Sequence, residues 1–287
     1  MVPEPNQTQR TYFMEPENTT EMAHIIFQDR NFTRILGGLF PEGATLTDGQ
    51  RIIDIGCGTG GWLLDVAHQY QHVEAIGIDI SKMMVEYANV AARSQGLDNV
   101  LFQEMNALER LDFPDNHFDV VSARSIFGWT PKPLWPKLLQ EVYRITKPGG
   151  YVRLTEGEWP ITNAPTVETF SGMFTRALKV AGTSFSPDGR HIGITPMLEY
   201  LLHKAGYENF VKKSHYLDSS YGTPDYEFGY QNFMISHQLL QPFLIRTGQT
   251  TEEEVGKLYQ QALSEMLSED YCCLMYLLTV RGQKPLV

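Results

Sequence analysis

Cysteine is scarce, with three in 287 residues. Cys272 and Cys273 are adjacent and Cys57 stands among glycines, which excludes a disulfide framework and the paired spacings of a cysteine metal site; no metal is expected. Basic charge is also short. Lys plus Arg number 23 against 34 Asp plus Glu, a formal net charge of −11 at pH 7. Such a surface repels phosphate backbones and anionic headgroups, and no basic run offsets it, so neither nucleic acid nor membrane is expected as a partner. Long apolar runs are missing as well. The most apolar stretch, Cys272 to Val280, falls far below the ~20 residues of a membrane-spanning helix. The opening Met1-Val2-Pro3-Glu4-Pro5-Asn6-Gln7 is polar, without the apolar stretch of a signal peptide. A reduced, soluble, cytoplasmic protein is the expectation. No repeat or low-complexity tract appears.

What is present suffices for a large core, since 42% of the residues are hydrophobic. From about Gln50, short apolar strands alternate with amphipathic helices. The strands are expected at 51–55, 74–78, 100–104, 119–123 and 151–155, with helices at 62–70, 82–95 and 132–145 between them. Ser81 suits the cap of the second helix and Thr130 that of the third, with Pro131 and Pro133 in its first turn. The third helix carries Leu134, Leu138, Leu139, Val142 and Ile145 on one face and stops at Lys147-Pro148-Gly149-Gly150. Strands joined through helices imply right-handed crossovers and a parallel sheet covered on both faces.

Three segments break the rhythm and read as helical lids at the carboxyl edge of the strands, where open parallel sheets hold their ligands. The expected organisation is a lid over 1–45, a core over 46–157, a lid insertion over 158–194, core again over 195–217, a second insertion over 218–270, and a terminal strand and tail over 271–287. The second insertion holds a helix near 230–245 and another over 252–267, the latter with a capping box of Thr251 and Glu254.

The strongest chemical signal is Arg51-Ile52-Ile53-Asp54-Ile55-Gly56-Cys57-Gly58-Thr59-Gly60-Gly61. An apolar strand runs into glycines and then a helix, so a ligand can approach the backbone and meet unpaired amides at the helix start. Gly56, Gly58 and Gly61 fit a dinucleotide pattern, while Gly56, Gly58 and Gly60 fit that of enzymes using S-adenosylmethionine (SAM). Asp79 ends the next strand, at the separation of an acid that grips ribose hydroxyls in either class.

Further motifs separate the two classes. Leu139, Glu141 and Arg144 precede Lys147-Pro148-Gly149-Gly150, Met105-Asn106-Ala107 follows the third strand, and Phe113-Pro114-Asp115-Asn116-His117-Phe118-Asp119 leads into the fourth. With Asp54 to Gly60 and Asp79, these cover about half the chain, in order and at family spacing, and resemble the bacterial small-molecule branch of the class I SAM-dependent methyltransferases. The resemblance implies an α/β, Rossmann-like, seven-stranded, mostly parallel sheet with an antiparallel terminal strand near Cys272–Val280, plus the helical lids. It implies that Asp54, Gly56, Cys57, Gly58 and Gly60 surround the methionine part of SAM, that Asp79, with Ile80 and Met84 after it, holds the ribose side, and that Asn106 and Ala107 meet the adenine. Family members usually carry Asp where Asn106 stands. Ala123 and Arg124 should approach the methionine amine or the substrate, and Tyr12 and Gln28 in the first lid should touch the methionine tail.

A sulfonium methyl is already electrophilic, so the protein has mainly to align a nucleophile and exclude water. No shared catalytic residue is required. The candidates are Glu156 and Glu158 after the fifth strand, His191 in the turn-rich lid, and Arg124. Trp159, Phe170, Phe174, Phe185, Tyr230 and Phe233 are the aromatics available for an apolar pocket. The expected substrate is a small, partly apolar molecule methylated at O, N, C or S. The other reading from a different class is a SAM-binding partner subunit that docks through its lid helices; a homodimer stays open.

Overall fold

The structure, a computed structural model, describes residues 18–286. The first described helix, α1 (Thr19–Ile35), is capped by Asn18, whose side chain accepts from the amides of Thr20 and Glu21. The alternating core follows as β1 (Arg51–Ile55), α2 (Gly61–Gln69), β2 (Glu74–Asp79), α3 (Lys82–Ser94), β3 (Val100–Glu104), β4 (Phe118–Arg124), α4 (Trp135–Ile145) and β5 (Thr146–Gly157). A two-residue strand β6 (Ile161–Thr162), helices α5 (Pro165–Ala181) and α6 (Leu198–Ala205), and β7 (Glu208–Asp218) come next, then α7 (Tyr226–Arg246), α8 (Glu252–Met266) and the closing strand β8 (Cys273–Gln283).

The sheet runs β3-β2-β1-β4-β5-β8-β6, with β7 also paired to β8. The five core strands are parallel, and β8 is antiparallel to each of its neighbours. Eight strands stand where seven were expected. The extra one, β6, lies on the same side of β8 as β5 and prolongs that edge beyond the turn at Glu158-Trp159-Pro160, as the pairing of Leu274 to both Ile161 and Asp218 requires.

The core strands are apolar throughout because both faces are covered. Ile52 packs with Trp62, Leu63, Val85 and Phe102 on one face, while Ile53 and Ile55 pack with Trp135, Leu138 and Phe170 on the other, the two-residue period of a strand. Helix α4 buries Trp135, Leu138, Leu139, Val142 and Ile145, each contributing about 1.5–3 kcal/mol when fully covered.

The helix ends at Ile145 as expected, but its start fails, and the strand after it begins earlier than expected. Residues Lys132–Leu134 form a separate 3-10 turn, because three prolines (131, 133 and 136) lack the amides that an earlier α start would use. Thr130 therefore caps nothing, and its buried hydroxyl has no partner. Lys147-Pro148-Gly149-Gly150 belongs to β5 and bulges out of register between Phe118 and Val120, with Gly149 at φ +78°. The Thr251 cap is present, its hydroxyl accepting from the Glu254 amide at 3.3 Å, but Glu254 returns its carboxylate to the Thr250 hydroxyl. No helix among the described residues is long and apolar enough to cross a membrane.

Candidate active site

At the carboxyl ends of β1, β2 and β4, roofed by α1 and α7, lies a cavity of about 1130 Å³. Sites for a single drug-sized ligand run to about 300–1,000 Å³, so this one has room for two molecules side by side. One wall comes from the core: Gly56, Cys57 and Gly58, then Ile78 to Ser81 with Met84, then Met105, Asn106 and Ala107, then Arg124 and Ser125. The other comes from the cap: Trp159, Leu217, Asn232, Phe233, Ser236 and His237 among others.

The glycine loop turns as its sequence requires, with Gly56, Gly58 and Gly60 at φ +68°, +54° and +77°. Four of its amides are already committed. Those of Gly56 and Cys57 donate to the Ile78 carbonyl, that of Gly58 to Asp79 Oδ2 at 2.9 Å, and that of Gly60 to the Cys57 carbonyl. For these four the expectation of amides offered to a ligand is corrected: Gly56 and Gly58 supply instead a stretch of cavity wall without side chains. A Cβ on Gly56 would stand 3.0 Å from the Trp129 ring and one on Gly58 3.2 Å from Ile25 of α1, both groups of the cavity. Gly60 serves packing, for a Cβ there would lie 2.5 Å from Phe102.

Asp79 accepts from the amides of Gly58 and Ser81, the latter at 2.9 Å on Oδ1. A carboxylate takes about four donors, so ligand hydroxyls can add to these. Asn106 lines the cavity while bonding Glu109 and the Leu108 amide. Burial, followed by the charges of Asp79 and Asp54, pushes the Cys57 thiol well up, which leaves it inert as a nucleophile. Asp54 is buried beneath the loop and does not line the cavity; burial raises its carboxyl to about 6 against the pull of Arg124. Ala123 is buried in the strand behind.

Arg124 lies over the Trp62 ring, 5.4 Å from its centroid, and gives Nη2 to Asp29 Oδ1 of α1 at 2.5 Å; its Nε is buried without a partner. The same Asp29 carboxylate covers the first residue of α2, where a Cβ on Gly61 would meet its Oδ2 at 2.1 Å. A negative group at a helix start is favoured by the macrodipole. This contact holds α1 across the glycine loop. Gln28 and His24 also bind Asn232 Oδ1 of α7, at 2.8 and 3.0 Å, so α1 and α7 meet above the cavity. Ser125, at φ +55°, is a non-glycine residue in the left-handed region, a strained conformation that recurs at functional sites.

The proposed catalytic candidates, apart from Arg124, fall outside the cavity. Glu156 is fully buried; Oε1 accepts the Ile126 amide at 2.8 Å, and burial, against that bond, raises the carboxyl to about 8. Glu158 staples the lid loop by accepting from the amides of Ile192, Gly193 and Thr195 and from the Thr195 hydroxyl. His191 is exposed. Of the six aromatics, Trp159 and Phe233 line the cavity; Phe170 and Phe174 pack behind them, Phe185 leans on Trp135, and Tyr230 is half-buried against the core. Tyr12 lies outside the described residues. Sequence reasoning missed Asp29, Ser125, Asn232 and His237. Only His237 carried a signal, as a polar ring in an apolar helix.

Residues 52–150 match the family described as a methyltransferase domain. The chain is 34% identical over 127 residues to a demethylmenaquinone methyltransferase of Geobacillus kaustophilus, covering 44% of this chain and 51% of that one. It is 33% identical over 184 residues to the enzyme of that name from Symbiobacterium thermophilum, covering 62% and 64%. The chain thus spans about half to just under two thirds of the length of these curated relatives. Among solved structures, Haemonchus contortus phosphoethanolamine N-methyltransferase 2, in complex with S-adenosylhomocysteine and phosphomonomethylethanolamine, shares the fold at a TM-score of 0.55 and 19% identity, over 95% of this chain and 60% of that one. Sequence match and strand order together make residues 52–150 of this chain a methyltransferase domain.

Proposed function

We propose that this chain transfers a methyl group from SAM to a small, partly apolar acceptor held in the same cavity. The observation that carries the reading is the continuity of one large cavity with two chemically different walls. The core wall suits the cofactor. Asp79 is placed to take ribose hydroxyls, while Ile80, Met84, Met105, Asn106 and Ala107 offer an apolar slot with one amide edge for a flat base. Arg124 and Asp29 present one charge of each sign beside the glycine loop, a match for an amino-acid zwitterion. When bound, SAM supplies an electrophilic methyl. The chain's own task is then to hold the acceptor in line and dry, which α1 and α7 serve by roofing the cavity.

The cap wall, with Trp159, Phe233, Phe127, Met275 and Leu277, suits an apolar, flat acceptor. The relatives named for demethylmenaquinone favour a fused-ring compound within that class. Calorimetry tests the cofactor reading: SAM and S-adenosylhomocysteine are expected to bind, and NADH is not. Binding of NADH with no binding of either SAM compound would overturn it. Asp79→Asn removes the charge yet keeps an acceptor for the loop amides, and is expected to weaken S-adenosylhomocysteine by about 1.5–3 kcal/mol; unchanged affinity would remove Asp79 from the site. A search of many acceptors that finds SAM bound but no turnover would favour a partner subunit instead.

A further inference from the structure

The two helices that roof the cavity are held by different forces. Helix α7 buries Phe228, Phe233, Leu240, Phe243 and Leu244. Helix α1 fully buries only Glu21 and His24, both polar. The cause lies in what α1 covers. Asn18, Glu21, Ile25, Gln28 and Phe32 recur at the helical period and line the cavity, so that face lies over the ligand space and not over a core.

The grip on α1 is also uneven along its length. At the carboxyl end Leu36 is buried with Leu217, Phe228 and Leu277, and Phe27, Phe32 and Ile35 pack against that cluster. In the middle Gln28 donates to Asn232 Oδ1 at 2.8 Å and Asp29 pairs with Arg124. The first two turns, residues 19–26, have no fully buried apolar side chain. They meet α7 through His24, 3.0 Å from Asn232 Oδ1, and the glycine loop through Ile25, whose Cγ2 would stand 3.2 Å from a Cβ on Gly58. Opening free energies follow buried apolar contact, so these two turns open at lower cost than the rest of the roof.

We propose that residues 19–26 are the gate of the cofactor site. They lift off the glycine loop to admit the cofactor and release its demethylated product, bending where Gln28 and Asp29 tie the helix, while residues 32–36 and α7 stay in place. The inference rests on the cofactor reading above and adds the route by which that site fills. A gate differs from a fixed wall in its kinetics. It closes on the same protein contacts whether the site is filled or not, so weakening them raises the open fraction of both forms equally. Association and dissociation then speed up together and the affinity holds. Damage to a fixed wall raises dissociation alone.

The test uses Ala23→Gly, at an exposed position outside the cavity wall, where glycine weakens the helix enough to make opening about fivefold more frequent. Stopped-flow tryptophan fluorescence follows S-adenosylhomocysteine binding to the full chain, and hydrogen exchange follows the amides of α1. In wild type, amides at residues 22–26 are expected to exchange about tenfold or more faster than those at 32–36, and to slow when S-adenosylhomocysteine saturates the site. Ala23→Gly is expected to raise both rate constants about fivefold at unchanged affinity. Two halves that exchange alike, rates that Ala23→Gly leaves unchanged, or a rise in dissociation alone would each overturn the inference. Failure of S-adenosylhomocysteine to bind wild type would strike the cofactor reading, and the gate would then be decided by exchange without ligand, where equal halves overturn it.

Discussion

Glu156→Gln should stabilise the protein, and by an amount that depends on pH. The carboxyl is fully buried, donates nothing to the Ile126 amide it serves, and has a second oxygen with no partner. Burial raises its pKa from an ordinary 4.5 to about 8, the backbone bonds opposing. The sign follows from linkage. Between those values the unfolded chain is ionised and the folded chain protonated, so folding takes up a proton and stability falls as pH rises from about 4.5 to about 8, then levels. The gap between the two values corresponds to about 5 kcal/mol at the alkaline end and about 3 kcal/mol at pH 7. Glutamine keeps an oxygen for the Ile126 amide and cannot ionise. Urea unfolding of wild type and Glu156→Gln from pH 5 to 9 would read the difference directly. The variant is expected to gain on wild type steadily up to about pH 8 and then hold its lead. A difference that stays flat across that range would refute the reasoning, and would mean that Glu156 is ionised in the fold or reaches solvent.

Arg124→Met should weaken S-adenosylhomocysteine by about 10–100-fold in calorimetry, the loss of a charge-assisted contact to a carboxylate; full affinity would detach Arg124 from the cofactor. Glu158→Ala strips the shared acceptor from the amides of Ile192, Gly193 and Thr195, and should cost about 1–3 kcal/mol and open the Pro187–Gly193 loop to protease. Unaltered cleavage and an unaltered melting point would show that the loop holds itself.

The parts of the site that were legible in the sequence are those built from neighbours in the chain. Gly56 to Gly61 and Asp79 announce a strand, a turn and a helix start within a short span, and local backbone chemistry fixes that geometry whatever surrounds it. Ser81 was readable as a cap for the same reason, and its hydroxyl accepts the Met84 amide at 3.2 Å. The cap side was not legible, because its contacts join distant residues. Asn232 meets Gln28 and His24 from more than 200 positions away, and the His237 and Trp159 rings become neighbours only in the fold. Glu158 misled for a related reason. Its place after β5 suggested the crevice, while its partners, 34 to 37 residues on, turn it to the lid loop. Four of the loop amides misled in the opposite way: a glycine cluster predicts the turn but not that the Ile78 and Cys57 carbonyls and the Asp79 carboxylate already hold those N–H groups.

Co-crystals grown with S-adenosylhomocysteine test the central claim most directly. The account predicts ribose hydroxyls on the Asp79 carboxylate, the amino-acid tail between Arg124 and the Gly56–Gly58 wall, and free space beyond it toward His237. Saturated crystals with the compound bound elsewhere, or with its adenosine turned toward α7 and away from Asp79, would contradict it.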